Sequence, residues 1–260
     1  MVDSVWGGVF NDWYGRTFVV FEVVKCCVGR CLTVLGGFNE RGFKVHNLAF
    51  WNSCVKYWLL DRKPSNVYRS ISVHSGLPIF SFNHAVRGVT RKKFFEEDYL
   101  DSVVSFRRVL DFDNPGKKGG DLISGFELVK AEVLRVVKFL VGEGFSVKII
   151  HSGSGFNVEL LGDVFSVEEL KLFGDFVVGM IGLLGLKFVD KNVFDPIRVF
   201  KVPYSLDCKN GHVVLPVSLF DFERFKYDDY HYKVVLNNFM IKGRGENNFW
   251  ISKENLGGVF

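Results

Sequence analysis

Residues 106–112, whose apolar positions are Phe106, Val109, Leu110 and Phe112, lead into Leu110-Asp111-Phe112-Asp113, two carboxylates one residue apart. In an extended strand alternate side chains share a face, so Asp111 and Asp113 point one way while Leu110 and Phe112 pack the other. Two negative charges held roughly 6 Å apart repel by about 3 kcal/mol at an effective dielectric near 20. A strand carrying both at its exposed end therefore favours a cation, and divalent metals held by carboxylates are a standard means of phosphoryl transfer. A solvated turn is the other reading, because Asn114-Pro115-Gly116 follows at once and Asp is common before turns.

Around this strand the pattern alternates between strands and long helices. Residues 17–25 and 31–36 read as strands rich in Val, Phe and Leu, and 67–73 as another. Residues 46–60 mix aromatic and apolar positions and read as a helix ending before Pro64. From 122 to 140, Phe126, Val129, Val133, Val136, Val137 and Leu140 recur at helical spacing, stopped by Gly142 and Gly144. Strands follow at 147–150 and 156–161, and Ser166 caps a second helix running to about Leu184. Further strands are expected at 197–202 and 212–217, whereas 226–260 is polar and aromatic without a clear element. Strands interleaved with long helices indicate an α/β or α+β arrangement.

At 260 residues and 48% hydrophobic, the chain can bury a sizeable core, as one large domain or two small ones. No apolar run approaches the length of a membrane span. Residues 1–8 carry Asp3 and no basic cluster, so they do not read as a secretory signal, and a cytoplasmic location is expected. Five unevenly placed cysteines argue against a disulfide framework. Cys26, Cys27, Cys31, Cys54 and His46 can be combined into a zinc site on paper, but their spacing fits no common Cys-x-x-Cys pair. The net charge of +4 is compatible with nucleic acid without requiring it. Basic groups occur at Arg91-Lys92-Lys93, Arg107-Arg108, Lys117-Lys118 and Lys242 with Arg244, and two of them flank the carboxylate pair.

Three further segments bear on chemistry. Ser152-Gly153-Ser154-Gly155-Phe156-Asn157 is a small-residue turn between strands, in which backbone N–H groups can approach an anion and Ser152 can donate to a phosphate; a plain tight turn has the same composition. Val189-Asp190 ends a short apolar stretch. Residues 198–211 then read Arg-x-x-Lys-x-Pro-x-Ser-Leu-x-x-Lys-x-Gly, where Arg198, Lys201 and Lys209 supply cations suited to phosphate.

In that order the set resembles the catalytic (small) subunit of archaeo-eukaryotic DNA primases. The resemblance covers about 64–225, from Pro64-Ser65-Asn66-Val67-Tyr68-Arg69-Ser70 to Val214-Leu215-Pro216-Val217 with Phe220-Asp221. It implies an α/β primase-like catalytic core, with a mixed sheet flanked by helices and an open catalytic face, as a single prim-pol domain over 1–260. The resemblance further implies Asp111, Asp113 and Asp190 as catalytic metal ligands for Mg²⁺ or Mn²⁺, with Asp195 a rival for the third place. Ser152, Gly153, Asn157, Arg198, Lys201, Asp207 and Lys209 would line the nucleoside triphosphate site. The implied reaction is template-directed primer synthesis on single-stranded DNA, with a primase large subunit as partner and no membrane. A gap-filling polymerase of the same superfamily shares these motifs, and so does a degenerate homologue that only binds nucleic acid. Two departures strike the triphosphate grip: the family usually has His at the places of Asn157 and Asp207. Asn157 cannot carry a positive charge, and Asp207 repels a triphosphate unless it faces a basic partner or a metal. His151 cannot substitute for Asn157, since adjacent strand positions face opposite sides. The family's zinc knuckle has no counterpart, because no cysteine lies between Asp113 and Ser152.

Overall fold

The computed structural model describes residues 9, 12–27, 30–35, 43–45, 66–75, 100, 103–192, 194–196, 198–207, 209–238 and 250–251. They fall into two units, one made of residues 1–106 and 196–209, the other of 107–195 and 210–260.

The first unit is built on β3 (Asn66–His74), whose nine residues are buried or half-buried throughout. One edge of β3 pairs antiparallel with β1 (Arg30–Leu35), which in turn pairs with β2 (Phe43–Val45). Its other edge is shared: Tyr68–Ser70 pair with β7 (Val199–Lys201), and Ser72–His74 with the first residues of β4 (Val103–Phe112). A strand buried on both faces must dispose of its polar side chains internally. The Arg69 guanidinium donates to the Cys26 carbonyl at 2.8 Å, the Ser70 hydroxyl donates to the Ser72 carbonyl at 2.7 Å, and Ser72 Oγ lies 2.9 Å from His74 Nε2.

Thr17–Lys25, expected as a strand, is helix α1. Val19, Val20, Val23 and Cys27 recur every three or four residues and are buried, which is the spacing of one helical face. The β-branched composition pointed to a strand, but burial against a tertiary partner overrides so weak a preference. Cys26 and Cys27 are free thiols, and among the described residues no His, Cys, Asp and Glu cluster suits a metal. Cys54 and His46, and the helix expected at 46–60, lie outside the described residues. Just before α1, Trp13 and Tyr14 are wholly buried; the Trp13 indole donates to the Tyr204 carbonyl and the Tyr14 hydroxyl accepts from the Leu206 amide. These contacts brace β8 (Leu206–Asp207).

In the second unit, the remainder of β4 lies beside β6 (Phe156–Val164), which pairs antiparallel with β5 (Val147–His151). The outer edge of β5 takes β10 (Leu215–Val217) and β11 (Trp250–Ile251). Helix α2 (Leu122–Gly142) starts on Asp121, whose carboxylate accepts from the Ile123 and Ser124 amides and the Ser124 hydroxyl. The Ser124 hydroxyl contact, with the two amides behind it, holds the Asp121 carboxyl below its usual range. The six apolar residues that defined this helix are all fully buried, with Phe126 packed on Phe156 at 5.0 Å between ring centroids. Helix α3 (Val167–Leu184) is capped by Ser166, which accepts from the Glu169 amide, and ends at Gly185 with φ +60°. Past β9 (His212–Val213), helix α4 (Leu219–Arg224) and α5 (Tyr232–Asn238) flank a 3₁₀ turn at Tyr227–Tyr230. This gives the tail a role the sequence did not reveal: Tyr230 stacks on the buried ring of His151 at 3.8 Å. No helix among the described residues is long and apolar enough to cross a membrane.

Burial lowers the His74 pKa to about 4. A histidine kept neutral in the fold contributes stability that is complete above its unfolded pKa, near 6.5, and is lost as pH falls toward 4. Urea titrations across that window should show the wild-type midpoint falling, by an amount worth at most roughly 3 kcal/mol. His74→Gln should flatten that slope.

Candidate active site

The carboxylates are placed by a short pairing at the end of β4. Phe112 bridges Val189 in antiparallel register, with the Asp190 amide donating to the Asp111 carbonyl at 2.8 Å and the Asp113 amide to the Phe188 carbonyl at 2.9 Å. In this register Asp190 stands directly across from Asp111, and residues opposed across an antiparallel pair share a face with Cβ atoms about 5 Å apart. Leu110 and Phe112 are fully buried behind them, as the alternation predicted, while Asp111 is half-buried and Asp113 exposed. Asp195 lies five residues past Asp190, exposed and beyond the bridge.

Each carboxylate is held by its own partner. Asn157, on the neighbouring β6, donates its side-chain amide to Asp111 Oδ1 at 2.8 Å. Asp113 pairs with Lys117 at 2.7 Å, and Asp190 Oδ1 accepts from the Asn192 amide at 2.9 Å. Among the described residues no three acidic, His or Cys groups are arranged around a metal position. The backbone register nevertheless sets three hard oxygen donors along one edge, the ligand type that suits Mg²⁺ and Mn²⁺. The Asp113–Lys117 pair is exposed, so it holds Asp113 by no more than about 1 kcal/mol.

The strand end is locked to the Ser152–Gly155 turn by groups that the sequence did not single out. Asn114, buried just after Asp113, accepts from the Gly116 amide and donates to the carbonyls of Leu122 and Ser154, each at 2.8 or 2.9 Å. Gly155 lies against the Phe112 carbonyl so closely that a Cβ there would overlap it. Gly153 has φ +98°, open to glycine without strain, and its carbonyl accepts from Asn210 Nδ2 at 2.6 Å and lies 2.9 Å from His212 Nδ1. Ser152 is buried at the start of this turn, its amide bonded to the Gly155 carbonyl.

Arg198, Lys201, Asp207 and Lys209 belong to the first unit. Asp207, 2% exposed, faces the basic partner that its position demanded: Lys201 Nζ lies 2.6 Å from its Oδ2, and the Lys209 amide donates to its Oδ1 at 3.2 Å. The Lys201 charge is therefore largely neutralised by its ion pair with Asp207. Arg107 and Arg108 are also engaged internally, the first with Asp163 at 3.0 Å, the second donating to the Leu161 and Gly162 carbonyls beside the rings of Phe145 and Phe173. Partial burial lowers the Arg108 pKa, opposed by the charge of Asp163. The groups at 91–93 and 242–244 lie outside the described residues.

Replacing Lys201 by Met leaves a buried carboxylate without its cation. It should cost roughly 3–5 kcal/mol by urea denaturation, most of it recovered when Asp207 is also changed to Leu. Gly155→Ala forces the turn off β4 and should lower stability by about 1–3 kcal/mol, read in the same assay.

No family model matches the sequence, and no curated protein matches it either. Among solved structures the chain is similar to the polymerase domain of Mycobacterium tuberculosis Ligase D, determined in complex with DNA, with a TM-score of 0.54 and 15% identity over 88% of each chain. At that identity the likeness is one of fold: the expected α/β arrangement with a helix-flanked sheet is borne out, but the strand pairings described above are antiparallel where a mixed sheet was expected.

Proposed function

We propose that this chain is a template-directed nucleotidyl transferase of the primase–polymerase type. The observation that carries the reading is the cross-strand placement of Asp190 opposite Asp111, with Asp113 two residues along the same strand. Opposed carboxylates destabilise a strand pair unless a cation joins them. Asp111, Asp113 and Asp190 would hold Mg²⁺ or Mn²⁺. Bound there, such ions would supply activation of a 3′-hydroxyl and neutralisation of charge on the phosphates being exchanged. Asn157 orients Asp111 through its amide, the role left to a side chain that cannot itself carry charge. The turn at Ser152–Gly155 supplies a hydroxyl and backbone donors for phosphate oxygens. Lys201 is set mainly to hold Asp207, within the first unit.

Priming on single-stranded DNA, alone or with a large subunit, and extension of an existing end both fit this chemistry. The likeness to a polymerase domain bound to DNA supports extension, and we take gap-filling or end-extending synthesis as the second reading. The purified chain, given a single-stranded template and labelled nucleotides with and without a primer, separates the two by which reaction yields product. In either case incorporation should need Mg²⁺ or Mn²⁺ and stop with a chelator. Asp111→Ala and Asp190→Ala should each lower it at least about 100-fold, while Asp195→Ala leaves it unchanged. Undiminished incorporation by Asp111→Ala would exclude the reading.

A further inference from the structure

Glu132 lies midway along α2, 3% exposed, and the chemistry above makes no use of it. A carboxylate buried on the core side of a helix is costly unless its oxygens are satisfied. Here both are. Oε1 accepts from the Lys187 amide at 2.7 Å and Oε2 from the Phe188 amide at 3.0 Å, with Arg135 at 3.7 Å on the rim. Those two amides belong to the segment that pairs with β4: the Phe188 carbonyl accepts from the Asp113 amide, and two residues on the Asp190 amide donates to Asp111.

We propose that Glu132 is a positioning residue of the carboxylate site, its grip on residues 187 and 188 fixing the register that sets Asp190 across from Asp111. The functional half of this proposal rests on the metal-dependent reading given above. The bridge beside β4 is a short pairing, and the side-chain period in a strand is two, so a slip of one residue turns Asp190 to the opposite face. Glu132 opposes that slip from the helix side. Its two oxygens bind the two consecutive amides of Lys187 and Phe188, so a slip of the segment has to break both contacts.

Two measurements on the full chain test this. Glu132→Gln keeps the shape but turns an amide NH₂ toward one of the two donors. Hydrogen exchange at the Asp113 and Asp190 amides should accelerate at least about tenfold, while Ile149 and Val158 in the β5–β6 ladder stay within about twofold. In parallel, Mn²⁺ binding is read from the electron paramagnetic resonance signal of the free ion. Glu132→Gln should weaken it by about 10-fold or more, the cost typical of disturbing a ligand's support. Asp190→Asn should weaken it at least as much, and Glu132→Gln with Asp190→Asn should bind no more weakly than Asp190→Asn alone, since both act through one position. Unchanged exchange at Asp113 and Asp190 overturns the proposal, and so does unchanged Mn²⁺ affinity or an additive double variant. If exchange accelerates but the wild type itself holds no Mn²⁺, the metal reading fails and Glu132 is a brace of the fold only. Should Glu132→Gln fail to fold, Glu132→Asp, too short to reach both amides, carries the same measurements.

Discussion

The meeting of β4 with residues 188–190 is the contact on which the candidate site depends. It consists of one residue bridge and the two backbone hydrogen bonds beside it. So small a pairing has little stability of its own, since an isolated two-stranded contact is marginal even when longer. Its persistence comes from the groups around it. Asn114 ties the end of β4 to the start of α2 and to the Ser154 carbonyl, and Gly155 lets β6's turn reach the Phe112 carbonyl. The buried acid on α2 grips the opposite side of the bridge. Three elements distant in sequence thus converge on one strand end, and the carboxylates inherit their placement from backbone contacts rather than from one another.

Asn157 and Asp207, where the family resembled in the sequence usually has histidine, take on a physical meaning in this setting. An asparagine at 157 gives up a positive charge but gains a directed amide, which it uses on Asp111. An aspartate at 207 would be an electrostatic liability near phosphate, yet it is buried against Lys201 and so contributes almost no field beyond its own pair. Lys201 is committed to this pair.

Much of this was legible in the chain, for identifiable reasons. Helix α2 announces itself by apolar spacing and α3 by its capping residue Ser166, both of which are local signals, whereas the Asp121 cap emerged only in the structure. The strand ending in Asp111 follows from alternation alone. Asp190 was reached only through the order of motifs, because its pairing with β4 is a non-local register that no pattern within ten residues encodes. The strand reading of 17–25 failed where β-branched residues met a helical burial face. Glu132 was invisible for a related reason: amid charged neighbours it reads as a solvated position, and what buries it is a pair of amides 55 and 56 residues away.

The braces supplied by Trp13 and Tyr14 have a kinetic consequence. Their hydrogen-bond partners stand 191 and 192 residues downstream, so the first unit is discontinuous along the chain. Closing a loop of that length rather than one of 20 residues costs about 2 kcal/mol more in chain entropy. During synthesis, residues 107–195 leave the ribosome before the segment that Trp13 and Tyr14 await, and those two side chains stay without these hydrogen-bond partners until it is made. A unit laid out this way closes only once the downstream segment is made, so its two aromatic rings are the part most open to misplaced contacts until then.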